Sequence, residues 1–453
     1  MTFEVLPYQH RIAEHIVNHP AALVWADIGL RKTATTLMAL RQLRDAGELM
    51  AVLIIAPKRV RDWVWEQQKG VYEPTLDMRV IRGTPEQRKR AVAHPAMIKV
   101  ASRDDVTWLV RTYGKRWPWN VVVIDEAQDF KEHGAMRFKA LATVRQHFDR
   151  VIELSATPAT EGLQGLWSQV YLADGGKRLG PSYTAFEQAF FTKDYMGFNM
   201  TPDPGAEEKI HARVADIAIS LSADDYLSLP PYMPNVIEVE MTPEEQARYD
   251  ELEREELLQV GADSVTVVNA AVMWGKLRQI ATGAVYSDDK TLIEFSSAKI
   301  EALAEIVAGT NDNLLVFYGY RHEVDRILRA FPQAQELDEE LWCAGRQRIA
   351  LAHADSAGAG LNLQTGGHTI VWTMPPASLR QYLQANGRLR RGDQQHPVVV
   401  HELVAVGTTD VDVRENRLNK QLGQTALLNH VALARRKNKK APEGAPIIRP
   451  EDF

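Results

Sequence analysis

The sequence predicts an α/β fold built on two parallel sheets, and three observations support this prediction. Short apolar runs rich in Val, Ile or Leu, each too short for a helix, alternate with longer helical patterns, as in a parallel sheet covered by helices. The same alternation occurs in both halves of the chain, with a region of different pattern between them. The length of 453 residues also exceeds what one hydrophobic core usually organises.

The predicted strands form two sets. The first set comprises residues 22–25, 51–56, 97–101, 121–124 and 151–154. The second set comprises residues 313–317, 348–352, 368–372 and 397–403. Helical patterns such as 33–46 and 85–93 separate the strands of the first set, so we expect a parallel α/β sheet.

The region between the two sets has a helical pattern with an acidic face. Thr242 is followed by Pro243 and, three residues after the threonine, by Glu245, which is the sequence pattern of a capping box at a helix N-terminus. We therefore divide the chain into a first lobe (1–205), a helical and irregular linking region (206–290), a second lobe (291–420) and a basic tail (421–453).

Composition limits the class of protein. The chain is 45% hydrophobic and 25% charged, which is typical of globular proteins, and its one cysteine, Cys343, excludes an intramolecular disulfide and suits a reducing cytosol. We find neither an apolar run of about 18 residues nor a signal-peptide pattern, so we expect a cytoplasmic protein. The net charge of −6 gives no indication of a nucleic-acid partner, and any basic surface must be local.

A glycine-bearing loop follows the first predicted strand and precedes a helical pattern. Its residues are Gly29, Leu30, Arg31, Lys32 and Thr33. Backbone N–H groups at a helix N-terminus can bind an anion, Lys32 can neutralise β- and γ-phosphates, and the Thr33 hydroxyl can bind Mg²⁺. The strict phosphate-loop pattern has glycine where this chain has Arg31, so the loop alone leaves open a basic helix start on the surface.

Two adjacent carboxylates follow the buried strand at 121–124. Asp125 and Glu126 come directly after this strand, with Gln128 two residues further on. Carboxylates in this position are costly unless a cation or a reaction uses them. Asp125 can hold Mg²⁺, and Glu126 can orient and deprotonate an attacking water. A solvated loop is the alternative, but a second strand of the same sheet already carries a candidate phosphate loop, which favours ATP hydrolysis.

Together with further motifs in the correct order, these residues resemble superfamily-two helicases, and among them the Swi/Snf-type DNA-dependent ATPases. Residues 29–33 look like motif I, 125–128 like motif II in its DEAQ form, and 155–158 like motif III. Residues 6–9 look like the adenine-side element, which implies that Gln9 contacts the base. Residues 56–58, followed by Trp63, resemble motif Ia, which implies that Pro57 and Lys58 contact nucleic acid.

The second half of the chain extends the resemblance. Residues 356–363 look like motif V and residues 384–388, with Arg391 and Gln394, like motif VI. The resemblance implies nucleic-acid contacts by Ser356, Gly358 and Asn362, and nucleotide contacts by Gly360 and Gln384. It further implies that Arg388 and Arg391 reach the γ-phosphate when the two lobes close, which ties hydrolysis to motion.

The resemblance implies two tandem RecA-like lobes that hydrolyse ATP with Mg²⁺ and move along DNA, duplex more readily than single-stranded DNA or RNA. Partner proteins in DNA replication, repair or restriction would fit such a motor. The predicted catalytic residues are Lys32, Asp125, Glu126, Gln128, Arg388 and Arg391. The predicted nucleotide-binding residues are Gln9, Gly29, Leu30, Arg31, Lys32, Thr33, Gly360 and Gln384, with Thr33 and Asp125 as metal ligands.

Several alternatives remain open at this point. Arg31 raises the hypothesis of a nucleotide-dependent DNA-binding module with impaired hydrolysis, and a motor subunit of a larger DNA-processing complex is a third hypothesis. The motifs do not decide between helicase and translocase, because we identify no wedge element. Trp63 and Trp65 suit core packing better than base stacking, and Lys299 has no assigned role.

Overall fold

The computed structural model describes residues 5–48, 51–159, 162–193, 200–262, 267–287, 289–355, 361–392 and 394–438. The chain divides into two compact units. The first unit comprises Met1–Tyr226 and Leu422–Phe453, and the second comprises Leu227–Gln421. Among the helices of the described residues, none is both long enough and apolar enough to cross a membrane.

The first unit alternates strands and helices. Its strands are β1 (Ala21–Ala26), β2 (Val52–Ala56), β3 (Met78–Val80), β4 (Ile98–Ser102), β5 (Val121–Asp125), β6 (Arg150–Ser155), β7 (Phe191–Lys193), β8 (Met200–Pro202) and β9 (Ala218–Leu221). Its α-helices are α1 (Pro7–Asn18), α2 (Lys32–Asp45), α3 (Trp65–Tyr72), α4 (Pro85–Ala93), α5 (Val106–Tyr113), α6 (Met136–Thr143), α7 (Gln164–Asp174), α8 (Tyr183–Phe190) and α9 (Ala206–Val214). Shorter helical turns are the π-helix Val60–Val64 and the 3₁₀ turns Arg103–Asp105, Gly114–Arg116, Ala127–Phe130, Arg145–His147 and Ala223–Asp225.

The main sheet of the first unit is parallel. Its strand order is β3-β4-β2-β5-β6-β1-β9 in the described residues. The central strands are buried along nearly their whole length, which explains their continuous apolar sequences. Because every strand runs in the same direction, the loops after β1, β2, β5 and β6 all leave from one edge of the sheet. Ligands of open α/β sheets bind at this carboxyl edge.

The second unit has the same architecture. Its strands are β10 (Tyr232–Val239), β11 (Ala284–Tyr286), β12 (Leu292–Glu294), β13 (Leu314–Tyr318), β14 (Ala334–Glu336), β15 (Ile349–His353), β16 (Thr369–Trp372) and β17 (Val398–Ala405). Its helices are α10 (Pro243–Ala262), α11 (Val267–Ile280), α12 (Ala298–Gly309), α13 (Arg321–Ala330), α14 (Glu339–Cys343), α15 (Leu379–Asn386) and α16 (Thr409–Asn438), which begins in this unit. The main sheet, described as β10-β17-β16-β13-β15-β14, is again parallel.

The predicted α/β fold with two parallel sheets is confirmed. Every predicted strand of both sets is present, with ends that differ by one or two residues. Strands that the sequence did not predict are the edge strands β3, β9, β10 and β14 of the two main sheets and the short hairpin strands β7, β8, β11 and β12. Strand β10 is largely exposed, so it lacks the buried apolar run by which the other strands were found. Strands β9 and β10 fall within 206–290, so parts of the span assigned to a linking region belong to the two sheets.

The capping box predicted at Thr242 is confirmed. The Thr242 backbone N–H donates to Glu245 Oε2 at 2.8 Å, and the Glu245 N–H donates to Thr242 Oγ1 at 3.2 Å. Two N–H groups that a helix start would leave unpaired are satisfied in this way, and α10 begins at Pro243 as expected.

Lys299, which the sequence left without a role, forms a buried ion pair. Its Nζ lies 2.5 Å from Asp410 Oδ2, and the two side chains are 6% and 1% exposed. The same carboxylate oxygen accepts a hydrogen bond from the Ala405 N–H at 3.1 Å. The pair therefore connects α12 to the start of α16 and to the end of β17.

We predict that Lys299→Met lowers the free energy of unfolding of the second unit by about 3–5 kcal/mol, because it leaves the Asp410 carboxylate buried without its cation. Urea unfolding of the purified protein measures this change. The matched control is Arg321→Met, which breaks a pair with Glu336 in which both side chains are 63% exposed. We expect the control to unfold at nearly the same urea concentration as the wild type, because exposed ion pairs add little stability. Equal losses in the two variants would contradict a special role for the buried pair.

Candidate active site

The loop between β1 and α2 has the backbone of a phosphate loop. Gly29 has φ 94°, and Arg31 has φ 47° and ψ 39°, which is the left-handed conformation that glycine adopts without steric cost. Arg31 thus occupies the position of the expected glycine and also adopts a glycine-like conformation. Its side chain is exposed. The departure from the usual motif therefore leaves the turn of the backbone in place.

Lys32 bends back over this loop. Its Nζ donates to the carbonyl oxygens of Ala26 at 2.5 Å and Asp27 at 3.1 Å. Burial and the like charge of Glu126 raise the pKa of Asp125, and the positive charge of Lys32 offsets part of this rise. Thr33 follows in the first turn of α2 and is half-buried. The structure thus brings Lys32 and Asp125 together, although they follow different strands of the sheet. Binding of a phosphate with its metal ion requires this proximity.

Asp125, at the end of β5, has an unusual environment. Trp65 donates its indole N–H to Asp125 Oδ2 at 3.0 Å. The surrounding protein withdraws the carboxyl group from water and Glu126 adds a like charge, and together they raise the pKa of Asp125 to about 7. A carboxylate destabilised in this way favours a nearby cation. No sequence pattern indicates that Trp65 is its partner.

A chain of hydrogen bonds connects Glu126 to the loop after β6. Thr157 donates its N–H to Ser155 Oγ at 3.0 Å, and the Ser155 hydroxyl donates to Gln128 Oε1 at 2.7 Å. Gln128 in turn donates its amide N–H to Glu126 Oε2. Glu126 has a left-handed backbone with φ 58°. The chain physically joins the segments that resemble motifs II and III, so a movement of either loop changes the position of the Glu126 carboxylate.

Gln9 is not exposed to solvent, as a side chain that is free to contact the adenine base would be. It is fully buried. Its Oε1 accepts from the Leu6 N–H at 3.0 Å and its Nε2 donates to Thr35 Oγ1 at 3.3 Å. In this arrangement the Oε1 end caps the start of α1, and the Nε2 end connects α1 to α2. Its predicted contact with adenine stays a prediction and requires a change of these partners.

The segment after β2 places its two tryptophans in different environments, although we expected both to pack in the core. Pro57 is buried and Lys58 is exposed at the end of the strand. Trp65 is fully buried, as core packing predicts, whereas Trp63 is 71% exposed. The expectation of core packing is therefore wrong for Trp63, which lies on the π-helix Val60–Val64 with its indole outward, whereas Trp65 follows the end of that helix and points inward.

In the second unit, two arginines converge on one backbone segment. Arg388, which is 7% exposed, donates to the Leu361 carbonyl at 3.3 Å. Arg391 donates to the same carbonyl at 3.3 Å and to Asn362 Oδ1 at 2.6 Å. Gln384 is buried on α15. The segments that resemble motifs V and VI thus meet here, while Ser356, Gly358 and Gly360 lie outside the described residues. The roles predicted for all of these residues stay predictions.

A buried polar network supports α15, the helix that precedes these arginines. Asn386 accepts from the Trp372 indole N–H at 3.1 Å and donates to the Tyr232 hydroxyl at 3.0 Å. Behind it, Arg417 forms a buried ion pair with Glu402 at 2.6 Å. No sequence pattern predicts this network, because its members come from distant segments that carry no shared motif.

The donor set of the first unit fits Mg²⁺ bound together with a nucleoside triphosphate. Within the described residues, no three His, Cys, Asp or Glu side chains cluster closely enough to hold a metal ion by themselves. Mg²⁺ in nucleotide sites is usually bound by one or two protein oxygens plus phosphate oxygens and water. The Asp125 carboxylate and the Thr33 hydroxyl are oxygen donors of this kind.

Comparison with known proteins identifies the family. The profile of the SNF2-related domain matches residues 8–282. The chain therefore belongs to the SNF2-related family, and it is an ATP-hydrolysing enzyme. The same membership supports ATP-dependent motor activity associated with DNA.

Individual relatives extend over most of the chain. The putative protein p41 of Acyrthosiphon pisum secondary endosymbiont phage 1 is 34% identical over 452 residues, covering 94% of this chain and 98% of the phage protein. The uncharacterized ATP-dependent helicase YqhH of Bacillus subtilis is 23% identical and covers 90% of this chain and 77% of its own length. A solved structure, the Sulfolobus solfataricus SWI2/SNF2 ATPase core in complex with dsDNA, is 20% identical, with 98% of each chain covered and a TM-score of 0.47.

We predict that Arg31→Gly retains the ATPase rate of the wild type within about threefold, a difference of less than 1 kcal/mol in the barrier. It should raise the free energy of unfolding by up to about 1 kcal/mol, because glycine adopts the left-handed conformation without steric cost while its freer unfolded chain offsets part of the gain. Steady-state ATPase assays and urea unfolding measure the two effects.

The matched control is Lys290→Gly, since Lys290 also has a positive φ, of 66°, and lies in the second unit away from the motifs. The control should show the same gain in stability and an unchanged rate. A rate increase of about tenfold or more in Arg31→Gly alone would show that the arginine impedes hydrolysis.

Proposed function

We propose that this protein is an ATP-driven motor that moves along duplex DNA. One observation supports the proposal above the others. The first sheet brings Lys32, Asp125 and Glu126 to one edge, and a hydrogen-bonded chain extends from Glu126 to Ser155 and Thr157. Such a chain lets the state of the phosphate site alter the position of a neighbouring loop, which a motor requires and a simple hydrolase does not. The similarity to the Bacillus subtilis protein YqhH, an uncharacterized ATP-dependent helicase, supports this proposal.

In the first unit, we assign Asp125 to Gln128 as motif II in its DEAQ form. Lys32 binds the β- and γ-phosphates together with the N–H groups of the loop from Gly29 through Leu30 and Arg31. Thr33 and Asp125 hold Mg²⁺, which when bound compensates the negative charge of the phosphate oxygens. Glu126 orients the attacking water and accepts its proton, and Gln128 fixes the rotamer of Glu126.

The second unit contributes positive charge to the same reaction. In this proposal Arg388 and Arg391 exchange their present carbonyl and amide partners for oxygens of the γ-phosphate. We also assign nucleotide contacts to Gly360 and Gln384. A guanidinium group that reaches the phosphate in only one arrangement of the lobes accelerates hydrolysis only in that arrangement, and this couples chemistry to movement.

Nucleic acid binds through both units in this proposal. Pro57 and Lys58 contact the backbone from the first unit, and Ser356, Gly358 and Asn362 contact it from the second. Lys58 is exposed, as a phosphate contact must be. Duplex DNA is the preferred track, and partner proteins in DNA replication, repair or restriction would direct the motor to its sites.

The hypothesis of a module without turnover depended on Arg31. Its left-handed backbone and exposed side chain preserve the turn that the phosphate loop needs. The neighbouring Glu126, which such a module would not need, is held by Gln128. We therefore favour an active hydrolase over a nucleotide-locked binding module.

We predict an ATPase rate that rises at least about tenfold on addition of duplex DNA, less with single-stranded DNA and least with RNA. Lys32→Ala and Glu126→Gln should lower the stimulated rate by about 10²–10⁴-fold, the range expected for loss of a general base or of an equivalent electrostatic contact. Release of inorganic phosphate measures each rate.

The matched controls for these variants are Lys89→Ala and Glu86→Gln on α4, where both side chains are exposed. The controls should retain the wild-type rate. A wild-type rate that ignores duplex DNA, single-stranded DNA and RNA alike contradicts the proposed function. Displacement of a triplex-forming strand without unwinding of a forked duplex identifies translocation, and unwinding of the fork identifies a helicase.

A further inference from the structure

Arg417, on α16, is a buried cation that the proposed reaction does not use. Its side chain is 1% exposed, and its Nη2 forms an ion pair with Glu402 Oε2 of β17 at 2.6 Å. Burying two charges usually adds little net stability, because the loss of hydration offsets their attraction. The presence of Arg417 in the interior is therefore not explained by this pair alone, and its other contacts indicate what it does.

Two further contacts of Arg417 lead to α15. Its guanidinium carbon lies 4.0 Å from the centre of the Tyr382 ring, which is a cation–π contact with the middle of the helix. Its Nη1 donates to the carbonyl oxygen of Pro376, in the loop before the helix, at 3.4 Å. A planar guanidinium with several N–H groups can combine these contacts with the ion pair, whereas a lysine has only one compact ammonium. Arg417 thus holds both the helix and the loop that leads into it.

The contacts continue along α15 to its last residue. The Tyr232 hydroxyl donates to the Tyr382 hydroxyl at 3.0 Å and accepts from the Asn386 amide at 3.0 Å. Asn386 in turn accepts from the indole N–H of Trp372 at 3.1 Å. Tyr382, Asn386 and Trp372 are buried, so these hydrogen bonds have no competition from water. The helix is therefore held by side chains of β10, β16 and α16 along its length.

The helix held in this way leads directly into the arginines of the proposed reaction. Asn386 is its last residue, and Arg388 and Arg391 follow closely in the chain. Between them, the guanidinium of Arg390 lies over the Tyr232 ring at 5.5 Å, so the same tyrosine supports the segment after the helix. A displacement of about 1 Å in a group that acts on a transition state can cost about 100-fold in rate. The placement of α15 therefore matters for hydrolysis.

We propose that Arg417 is a positioning residue for ATP hydrolysis, which fixes α15 and thereby the backbone that carries Arg388 and Arg391. It acts through Tyr382 and Pro376 and makes no contact with the nucleotide. A fixed helix lets the two arginine side chains exchange partners without displacement of their backbone. The inference rests on the proposed function, because it requires that these arginines act on the γ-phosphate. It goes beyond that function by assigning a role to a helix that follows the last motif.

The first test compares Arg417→Met with Lys299→Met in the full-length protein. Both variants remove the cation of a buried ion pair in the second unit, but the Lys299 pair joins α12 to α16 instead of supporting α15. Release of inorganic phosphate gives kcat and KM for ATP, at a temperature at which circular dichroism shows both variants folded. We expect Arg417→Met to lower kcat about tenfold or more and to change KM less than about threefold, because the arginines act in the transition state. Lys299→Met should lose stability but keep kcat within about twofold of the wild type.

The second test combines Arg417→Met with Arg388→Ala. The proposed function predicts that Arg388→Ala alone lowers kcat by about 10³-fold. If Arg417 acts by placing the arginines, its replacement in this background should lower kcat further by only about threefold or less, since one of the groups that it places is already absent. A general weakening of the second unit would instead multiply the two losses.

A conservative variant keeps the inference testable if Arg417→Met does not fold. Arg417→Lys retains a cation beside Glu402 but lacks the planar group that packs on Tyr382 and reaches Pro376. We expect it to unfold in urea close to the wild type and to lower kcat by about threefold or more. This loss of rate without loss of stability distinguishes a positioning role from a structural one.

The outcomes separate the inference from the proposed function. Wild-type kcat in the folded Arg417 variants, a loss of kcat in Lys299→Met equal to that in Arg417→Met, or full additivity with Arg388→Ala each overturns the inference and leaves the proposed function intact. An Arg388→Ala variant that hydrolyses ATP as fast as the wild type refutes the arginine role in the proposed function itself.

Discussion

The common direction of the strands in the first sheet is the constraint on which the site depends. Because all of them run in parallel, the loops after β1, β2, β5 and β6 emerge at one edge, and segments far apart in sequence become neighbours. Lys32 from the first of these loops thereby influences the pKa of Asp125 at the end of β5. The hydrogen bond from Trp65, which follows β2, reaches the same carboxylate. An antiparallel arrangement would send half of these groups to the opposite edge.

Two of the three residues other than glycine that have a positive φ in the described part of the chain lie in loops with catalytic assignments. Arg31 and Glu126 both have left-handed backbones, which cost a residue with a side chain about 1–2 kcal/mol relative to a right-handed one. Surrounding contacts compensate for this cost, since the Arg31 carbonyl accepts from the Thr35 N–H and Gln128 binds the Glu126 carboxylate. Strained residues held by their neighbours are typical of functional sites, where they preorganise reactive groups.

The second unit holds its candidate functional side chains by another means. Arg388 and Arg391 are held by one carbonyl and one amide oxygen, and buried polar pairs support the helices and strands behind them. Ion pairs withdrawn from water add little net stability but penalise any arrangement that separates them. Such pairs therefore resist rearrangement of the helices and strands that support the two arginines.

The sequence by itself determined the α/β class, the central strands and the order of the motifs, because buried strands and phosphate loops impose local patterns of apolar residues, glycine, lysine and carboxylates. It could not determine which tryptophan is buried. Trp63 and Trp65 are chemically identical and two residues apart, and only the tertiary packing of this segment directs one to Asp125 and the other to solvent. The edge strands β9 and β10, the partner of Lys299 and the chain from Glu126 to Thr157 were likewise decided by tertiary structure. Each depends on contacts between segments distant in sequence, and such contacts leave no periodic signal in the chain.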